Sequence, residues 1–336
     1  MTLIEGLRRN RFLLVGRAGM DFCPDPPGTA TEDGETFIAG LGGSAANIAA
    51  GICKLGGEAA ILTSVSDDAI GRFCLNQLAR YGVDTGYVTA VGGEARNSLA
   101  VYESRVEGHQ SVIYRNGAAD FQMTKAHVEA VDYGRFGALI TAGTVFAAEP
   151  SRTAAFHAID LARAAGLPVL FDIDYRPYSW PSPQVAMEVL SRAGAVSDVI
   201  VGNDEEFGFM AGGIDAGFAK ARDLAGTSAA IVVYKMGPEG AVTFAGGREM
   251  RSGVFAVDAL KPTGAGDSFM AGLVAGLAEG RPLEEAVRRG SACAAIVVAR
   301  VGCAAAMPVP GELDDFLATH PGPSAPKEAA DAYRTV

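Results

Sequence analysis

The chain has 336 residues, 49% of them hydrophobic, and 28 Lys and Arg against 39 Asp and Glu give a net charge of −11. That composition suits a globular protein with a large core, as one big domain or two ordinary ones, and argues against nonspecific binding to nucleic acid or an anionic membrane. Five scattered cysteines without a Cys-x-x-Cys pair, and four histidines without metal-ligand spacing, argue against a disulfide framework and a histidine metal centre. No apolar run approaches the roughly 18 residues that span a bilayer, and the first, 12–15, is too short for a signal peptide, so the cytoplasm is the expected location.

In chain order, apolar or β-branched runs at 12–15, 59–65, 139–142, 168–173, 199–201 and 230–234 predict strands. Between them 45–55, 70–81, 152–165 and 183–193 have helical length and periodicity. Strand and helix in alternation predict an α/β fold with a mainly parallel sheet covered on both faces. Residues 17–40 and 92–118 break the rhythm. Their polar, Gly- and Thr-rich composition and the alternating runs 98–104 and 111–115 predict extra antiparallel strands, and hence a small second sheet. That sheet reads either as a lid over the site or as two surface hairpins. Past residue 317 periodicity is lost, so the expected domain is 1–320, followed by a mobile tail, 321–336.

Two glycine-rich junctions carry the chemistry. Gly42-Gly43-Ser44-Ala45-Ala46-Asn47 runs into a small-residue helix; paired glycines there let backbone approach a ligand, and Asn47 offers both donor and acceptor. The spacing Gly40-x-Gly42-x-x-Ala45 also meets the loose dinucleotide fingerprint, which keeps an NAD-dependent oxidoreductase as a rival. That fingerprint does not follow the first strand and lacks an acidic strand end about 20 residues on. Thr263-Gly264-Ala265-Gly266-Asp267 opens into the apolar run 268–278. Small residues let amides at a helix start converge on an anion, and Asp267 beside them can accept a proton, which suggests phosphoryl transfer to a hydroxyl. An ordinary glycine turn is the competing reading. No Walker A sequence is present, so phosphate must be held another way.

Together the two junctions resemble the two signatures of the ribokinase-like (PfkB) carbohydrate kinases, and the resemblance covers residues 10–318. It implies a three-layer α/β/α fold with a β lid, ATP as phosphoryl donor and a magnesium ion. By this resemblance the amides of Gly264, Ala265 and Gly266 form the anion hole and Asp267 is the base. Asp21, Gly42, Gly43 and Asn47 fall on the sugar side; Lys261 and Thr263 fall on the nucleotide side. Asn203-Asp-Glu-Glu206 looks like the family's Asn-x-x-Glu motif, in which Glu206 helps place magnesium indirectly; as bare sequence it reads equally as a helix cap. Lys235-Met-Gly237-Pro-Glu-Gly240 resembles the nucleotide-side loop, with a plain hairpin turn as the alternative. Residues 292–298 look like the helix flanking the adenine.

The segment Asp172-Ile-Asp174-Tyr-Arg176-Pro-Tyr-Ser-Trp180 follows a strand, where ligands bind in open α/β sheets. Similar Arg-Pro-x-x-Trp segments occur in the branch of the family that phosphorylates sugar acids. An arginine fork can pair both oxygens of a carboxylate, so Arg176, with Arg115 as a second candidate, is expected to grip an acid; either could instead be a structural ion-pair partner. Two positions depart from the family pattern. Lys261 stands where an aspartate often helps hold a monovalent cation, which puts potassium activation in doubt and suggests that its ammonium replaces that cation. Ser44 stands where ribokinase-type sugar kinases often carry lysine. A sugar-acid-binding regulator without catalysis is a further rival, against which the intact Asp267 argues. Open sheet edges in a lid make a homodimer an expectation that the sequence cannot establish.

Overall fold

The computed structural model describes residues 1–320, 322 and 323; residues 321 and 324–336 of the expected tail lie outside the described residues. The strands are β1 (Arg11–Val15), β2 (Gly19–Asp25), β3 (Thr36–Gly42), β4 (Glu58–Ser66), β5 (Asp84–Val91), β6 (Leu99–Tyr102) and β7 (Ser111–Tyr114). They continue as β8 (Ala138–Ala142), β9 (Val169–Asp172), β10 (Val199–Asn203), β11 (Ile231–Lys235), β12 (Ala241–Ala245) and β13 (Arg248–Ser252). Nine of them form one sheet in the order β13-β12-β11-β10-β9-β8-β1-β4-β5, parallel from β11 to β5, with β12 and β13 added as an antiparallel edge.

The central strands read as continuous apolar runs because both faces are covered. Phe12 and Leu14 of β1 enter one core while Leu13 and Val15 enter the other; Val199 and Val201 oppose Ile200 in the same way. Each such side chain, wholly buried, contributes about 1.5–3 kcal/mol relative to exposure. The first core is covered by α1 (Leu3–Arg8), α2 (Ser44–Lys54) and α3 (Ala69–Arg80), joined by helices from the far end of the chain. The second lies under α4 (Lys125–Glu129), α5 (Ser151–Ala164), α6 (Pro183–Ala195), α7 (Asp204–Met210) and α8 (Gly217–Thr227). Back on the first face lie α9 (Ala265–Ala278), α10 (Leu283–Val298) and α11 (Pro310–Thr319). The result is the three-layer α/β/α arrangement expected from the alternation.

Helices α2 and α9 set the site. Small residues let them close on each other: a Cβ on Gly51 would stand 2.7 Å from the Cβ of Ala271. Both begin after a glycine of positive φ, Gly43 at 98° and Gly264 at 87°, and neither start carries a side-chain cap. The amide of Ala46 donates to the Arg17 carbonyl at 3.3 Å and that of Ala265, at a long 3.4 Å, to the Pro262 carbonyl, and the other amides of each first turn point to a ligand.

The second sheet has the order β3-β2-β6-β7. The expectation of purely antiparallel extra strands is corrected here, because β2 and β6 pair in parallel while β2–β3 and β6–β7 are antiparallel. The two excursions are fastened by Glu103, whose buried carboxylate accepts from the amides of Thr31 at 2.8 Å and Gln110 at 3.0 Å and from Arg105 Nε at 2.7 Å. These bonds lower its pKa against the effect of desolvation. Among the described residues, no helix is long and apolar enough to cross a membrane.

Candidate active site

A cavity of about 950 Å³ opens between the ends of β9, β10 and β11, the start of α9 and the inner face of the second sheet. The parallel register sets the strand ends side by side: Asp172 pairs across from Val201, and Asn203 from Lys235. Around the wall, the structure brings together residues that the sequence scatters from 21 to 267. Asp21, Gly43, Asn47, Arg115, Arg176, Asn203, Glu206, Lys235, Gly237 and Gly240 line it with the whole stretch Lys261–Asp267. Gly42 stands behind the wall instead. A Cβ there would collide with the Asp21 carboxylate, so this glycine makes room for Asp21.

At the α9 end, Gly264 needs its left-handed backbone, and a Cβ would lie 3.0 Å from Cys303 Sγ. Ala265, Gly266 and Asp267 form the first turn. Lys235 reaches over it, its Nζ 3.4 Å from where a Cβ on Gly266 would be and 5.7 Å from the Phe269 ring centre. The Asp267 carboxylate accepts from Asn47 Nδ2 at 2.8 Å. Burial raises its pKa to about 7, with Asp174 adding to the rise and Asn47, Arg176 and Lys235 opposing it. A carboxyl poised near neutrality can accept a hydroxyl proton.

Lys261 is wholly buried beside this turn. Its ammonium donates to the main-chain carbonyls of Thr263 at 2.6 Å and Val297 at 3.3 Å. Desolvation lowers its pKa, opposed by Cys303, Cys23, Asp267 and Asp21. Two carbonyl oxygens thus hold the amine in place beside the α9 turn.

The opposite wall is organised by Asp174, at a positive φ of 36°. Its carboxylate accepts from Ser44 Oγ at 2.6 Å and Thr144 Oγ1 at 3.0 Å and pairs with Arg176 Nη2 at 2.9 Å. Arg176 keeps 44% of its side chain exposed. Arg115 is more fully committed: it pairs with Asp120, donates to the Thr144 carbonyl at 2.9 Å and lies over the Phe121 ring. Arg17 donates to Ser98 Oγ at 2.9 Å, and its charge opposes the burial that raises Asp21 to about 6. Asp172 is buried with Oδ2 unpartnered, and desolvation pushes its pKa well above the usual carboxylate range.

At the β10 end Asn203 and Glu206 form a helix cap and also line the cavity. Asn203 caps α7 by accepting from the Glu206 amide at 2.8 Å, and Glu206 accepts from the amides of Asn203 at 2.8 Å and Tyr175 at 3.2 Å. Gly237 and Gly240 lie in the turn between antiparallel β11 and β12, so the hairpin reading describes their geometry; the same turn lines the cavity. Among the described residues no group of three His, Cys, Asp or Glu could cage a metal. A magnesium ion held mainly by nucleotide phosphates would find Glu206 and Asp172, whose Oδ2 is unpartnered, as the carboxylates of this end of the cavity.

Asp172, Asp174, Thr144, Arg17 and His109 also belong to this wall, and none was singled out for a role from the sequence. For two of them the sequence carries a signal, the aspartates at the end of β9 and two residues beyond it.

A helix start without a side-chain cap, a lysine above it and a carboxylate poised near neutrality, on a doubly covered parallel sheet, have the chemistry of a small-molecule phosphotransferase site. The family model for pfkB family carbohydrate kinases matches residues 10–310, and the chain belongs to that family. It is 35% identical over 312 residues to a 5-dehydro-2-deoxygluconokinase from Photobacterium profundum, covering 91% of this chain and 94% of the relative. It is 34% identical to one from Geobacillus kaustophilus, covering 94% and 96%. Among solved structures, a Vibrio cholerae fructokinase with fructose, ADP and potassium bound superposes with a TM-score of 0.81 at 26% identity, covering 91% of this chain and 98% of that one. A PfkB protein from Polaromonas gives 0.76 at 27%, covering 88% and 98%.

Proposed function

We propose that this carbohydrate kinase transfers the terminal phosphoryl group of ATP to the O6 hydroxyl of a keto sugar acid, 5-dehydro-2-deoxy-D-gluconate, in inositol catabolism. The observation that carries the reaction type is the meeting of two uncapped helix starts at Asn47 and Asp267, below Lys235. Asp267 takes the hydroxyl proton as the new O–P bond forms and the bond to ADP breaks. The amides of Gly264, Ala265 and Gly266, with Lys235, stabilise charge on the transferring group, and Asp21 accepts from sugar hydroxyls. Asn203, Gly237, Gly240 and Thr263 belong to the nucleotide side. Magnesium, when bound with the nucleotide, neutralises phosphate charge. Lys261 takes the place of a monovalent cation.

The substrate class rests on the half-exposed Arg176 at the cavity wall and on the names of relatives about one-third identical. A second reading has its own support: Arg176 and Arg115 already hold Asp174 and Asp120, so a neutral sugar, as for a fructokinase, would leave those pairs undisturbed, while 2-keto-3-deoxygluconate is a rival acceptor within the acid class. An ADP-release screen over matched keto sugar acids and neutral hexoses decides between these. Preference for a neutral hexose would overturn the acid assignment. The second sheet exposes Ile38, Val112 and Tyr114, which supports pairing of two copies through it; sedimentation tests this.

A further inference from the structure

The hairpin joining β6 to β7 carries a histidine that the chemistry above does not use. His109 turns inward, with Nδ1 3.0 Å from the Glu103 carbonyl and Nε2 3.4 Å from Thr263 Oγ1. A carbonyl can only accept, so Nδ1 holds the proton and Nε2 is the nitrogen presented to the start of α9. Thr263 immediately precedes Gly264, which puts the ring at the rim of the amides assigned to the anion hole. The contact is no accident of a loose loop. Glu103, which receives three donors and stitches the hairpin to the β2–β3 connection, also supplies the carbonyl that holds the ring.

On the hairpin side of the α9 start, the neighbouring charges are already engaged. Glu103 and Arg105 satisfy one another on the hairpin, and the Lys261 ammonium is spent on two carbonyls. A triphosphate in the cavity would bring phosphate oxygens toward Nε2 as well as toward Lys235, and an imidazolium can donate from both ring nitrogens.

We propose that His109 is a catalytic residue contributed by the second sheet: in the complex with both substrates its protonated Nε2 donates to the transferring phosphoryl group, and its hairpin closes that group off from water. The ring gains its proton from solvent when the nucleotide binds and keeps it through transfer, while Asp267 takes the hydroxyl proton. In the free enzyme Nε2 accepts from the Thr263 hydroxyl. This rests on the reading of Gly264 to Gly266 as the anion hole.

The test compares His109→Ala, His109→Gln and Gly264→Ala with the unmodified enzyme, using ATP–magnesium and the best acceptor of the sugar screen. Turnover, both KM values, melting temperature and ADP release without acceptor are measured. Loss of a donor to a developing charge should lower kcat of His109→Ala roughly tenfold to a hundredfold. The acceptor KM and the melting temperature should stay put, and a larger share of ADP should be released without sugar phosphorylation. His109→Gln, whose amide can donate, should recover part of the turnover. Unchanged turnover and unchanged coupling in His109→Ala would overturn the proposal. So would equal losses in both histidine variants accompanied by lowered melting temperatures, which would mark a purely structural role. If Gly264→Ala keeps full turnover, the anion-hole reading itself fails; if it loses turnover while His109→Ala does not, only the histidine proposal falls.

Discussion

Asn47 donates its side-chain amide to Asp267 across 220 residues of sequence, Nδ2 to Oδ2 at 2.8 Å, and this bond ties the starts of α2 and α9 together. An amide that holds one carboxylate oxygen fixes the direction of the other. It also opposes the burial that raises the acid towards neutrality. Asp267→Asn should therefore fold and bind nucleotide while losing about 10²- to 10⁴-fold in turnover. Near-normal turnover would remove Asp267 from the role of base. Asn47→Ala should cost less, about tenfold to a hundredfold, through lost orientation of that base.

Because the Asp267 carboxyl must be ionised to accept a proton, kcat/KM should fall as pH drops through about 7. The limb belongs to the free enzyme and should vanish from the small residual activity of Asp267→Asn. A pH profile without an acidic limb near neutrality would contradict the assignment.

Stability should run the other way. Asp172 and Asp267 hold protons more tightly folded than unfolded, so between their unfolded values near 4 and their raised folded values the native state binds more protons. The free protein should thus gain stability as pH falls from about 8 to about 5. Asp172→Asn, which removes a buried acid with an unpartnered oxygen, should flatten that dependence. Urea unfolding at several pH values would show an unchanged slope if the raised acids are not responsible.

Lys261→Met would leave the Thr263 and Val297 carbonyls without their donor, at a cost of about 1–3 kcal/mol each if they stay buried. Turnover should drop, because those carbonyls flank the α9 turn. The unmodified enzyme should be indifferent to replacing a large organic cation by potassium at constant ionic strength. Severalfold activation by potassium would show that the ammonium does not substitute for such an ion.

Arg176→Ala should raise the KM for acids selectively, leaving neutral sugars nearly untouched, since a lost fork matters only where a carboxylate is bound. Equal damage to both classes would instead point to the Asp174 pair, which Arg176 also serves.

Much of the scaffold could be read from the sequence because the central strands are buried on two faces and stand out as apolar runs. Runs 59–65 and 139–142 sit within β4 and β8. Strand β5 is a half-exposed edge and β13 a charged one, so neither stands out as an apolar run. In the site, glycine junctions were legible since their backbone demands are local. Asp174 and His109 were not: their meaning comes from Ser44, 130 residues away, and Thr263, 154 residues away. Gly42 shows the limit from the other side. Its sequence context suggested contact with a ligand, whereas its place opposite β2 reserves space for Asp21.

The second sheet is threaded into the chain twice, once between β1 and α2 and once between β5 and β8. It therefore joins the body by four strands of chain, and Glu103 clamps its two halves into one plate. A plate on four tethers can swing as a door does but cannot slide or spin, so any opening for sugar entry must pivot near residues 16–18, 43, 92–98 and 115–118. One of those tethers is Gly43 itself, whose turn begins α2. The door and the helix that carries Asn47 thus share a hinge pin, and opening the entrance would disturb the alignment of the base.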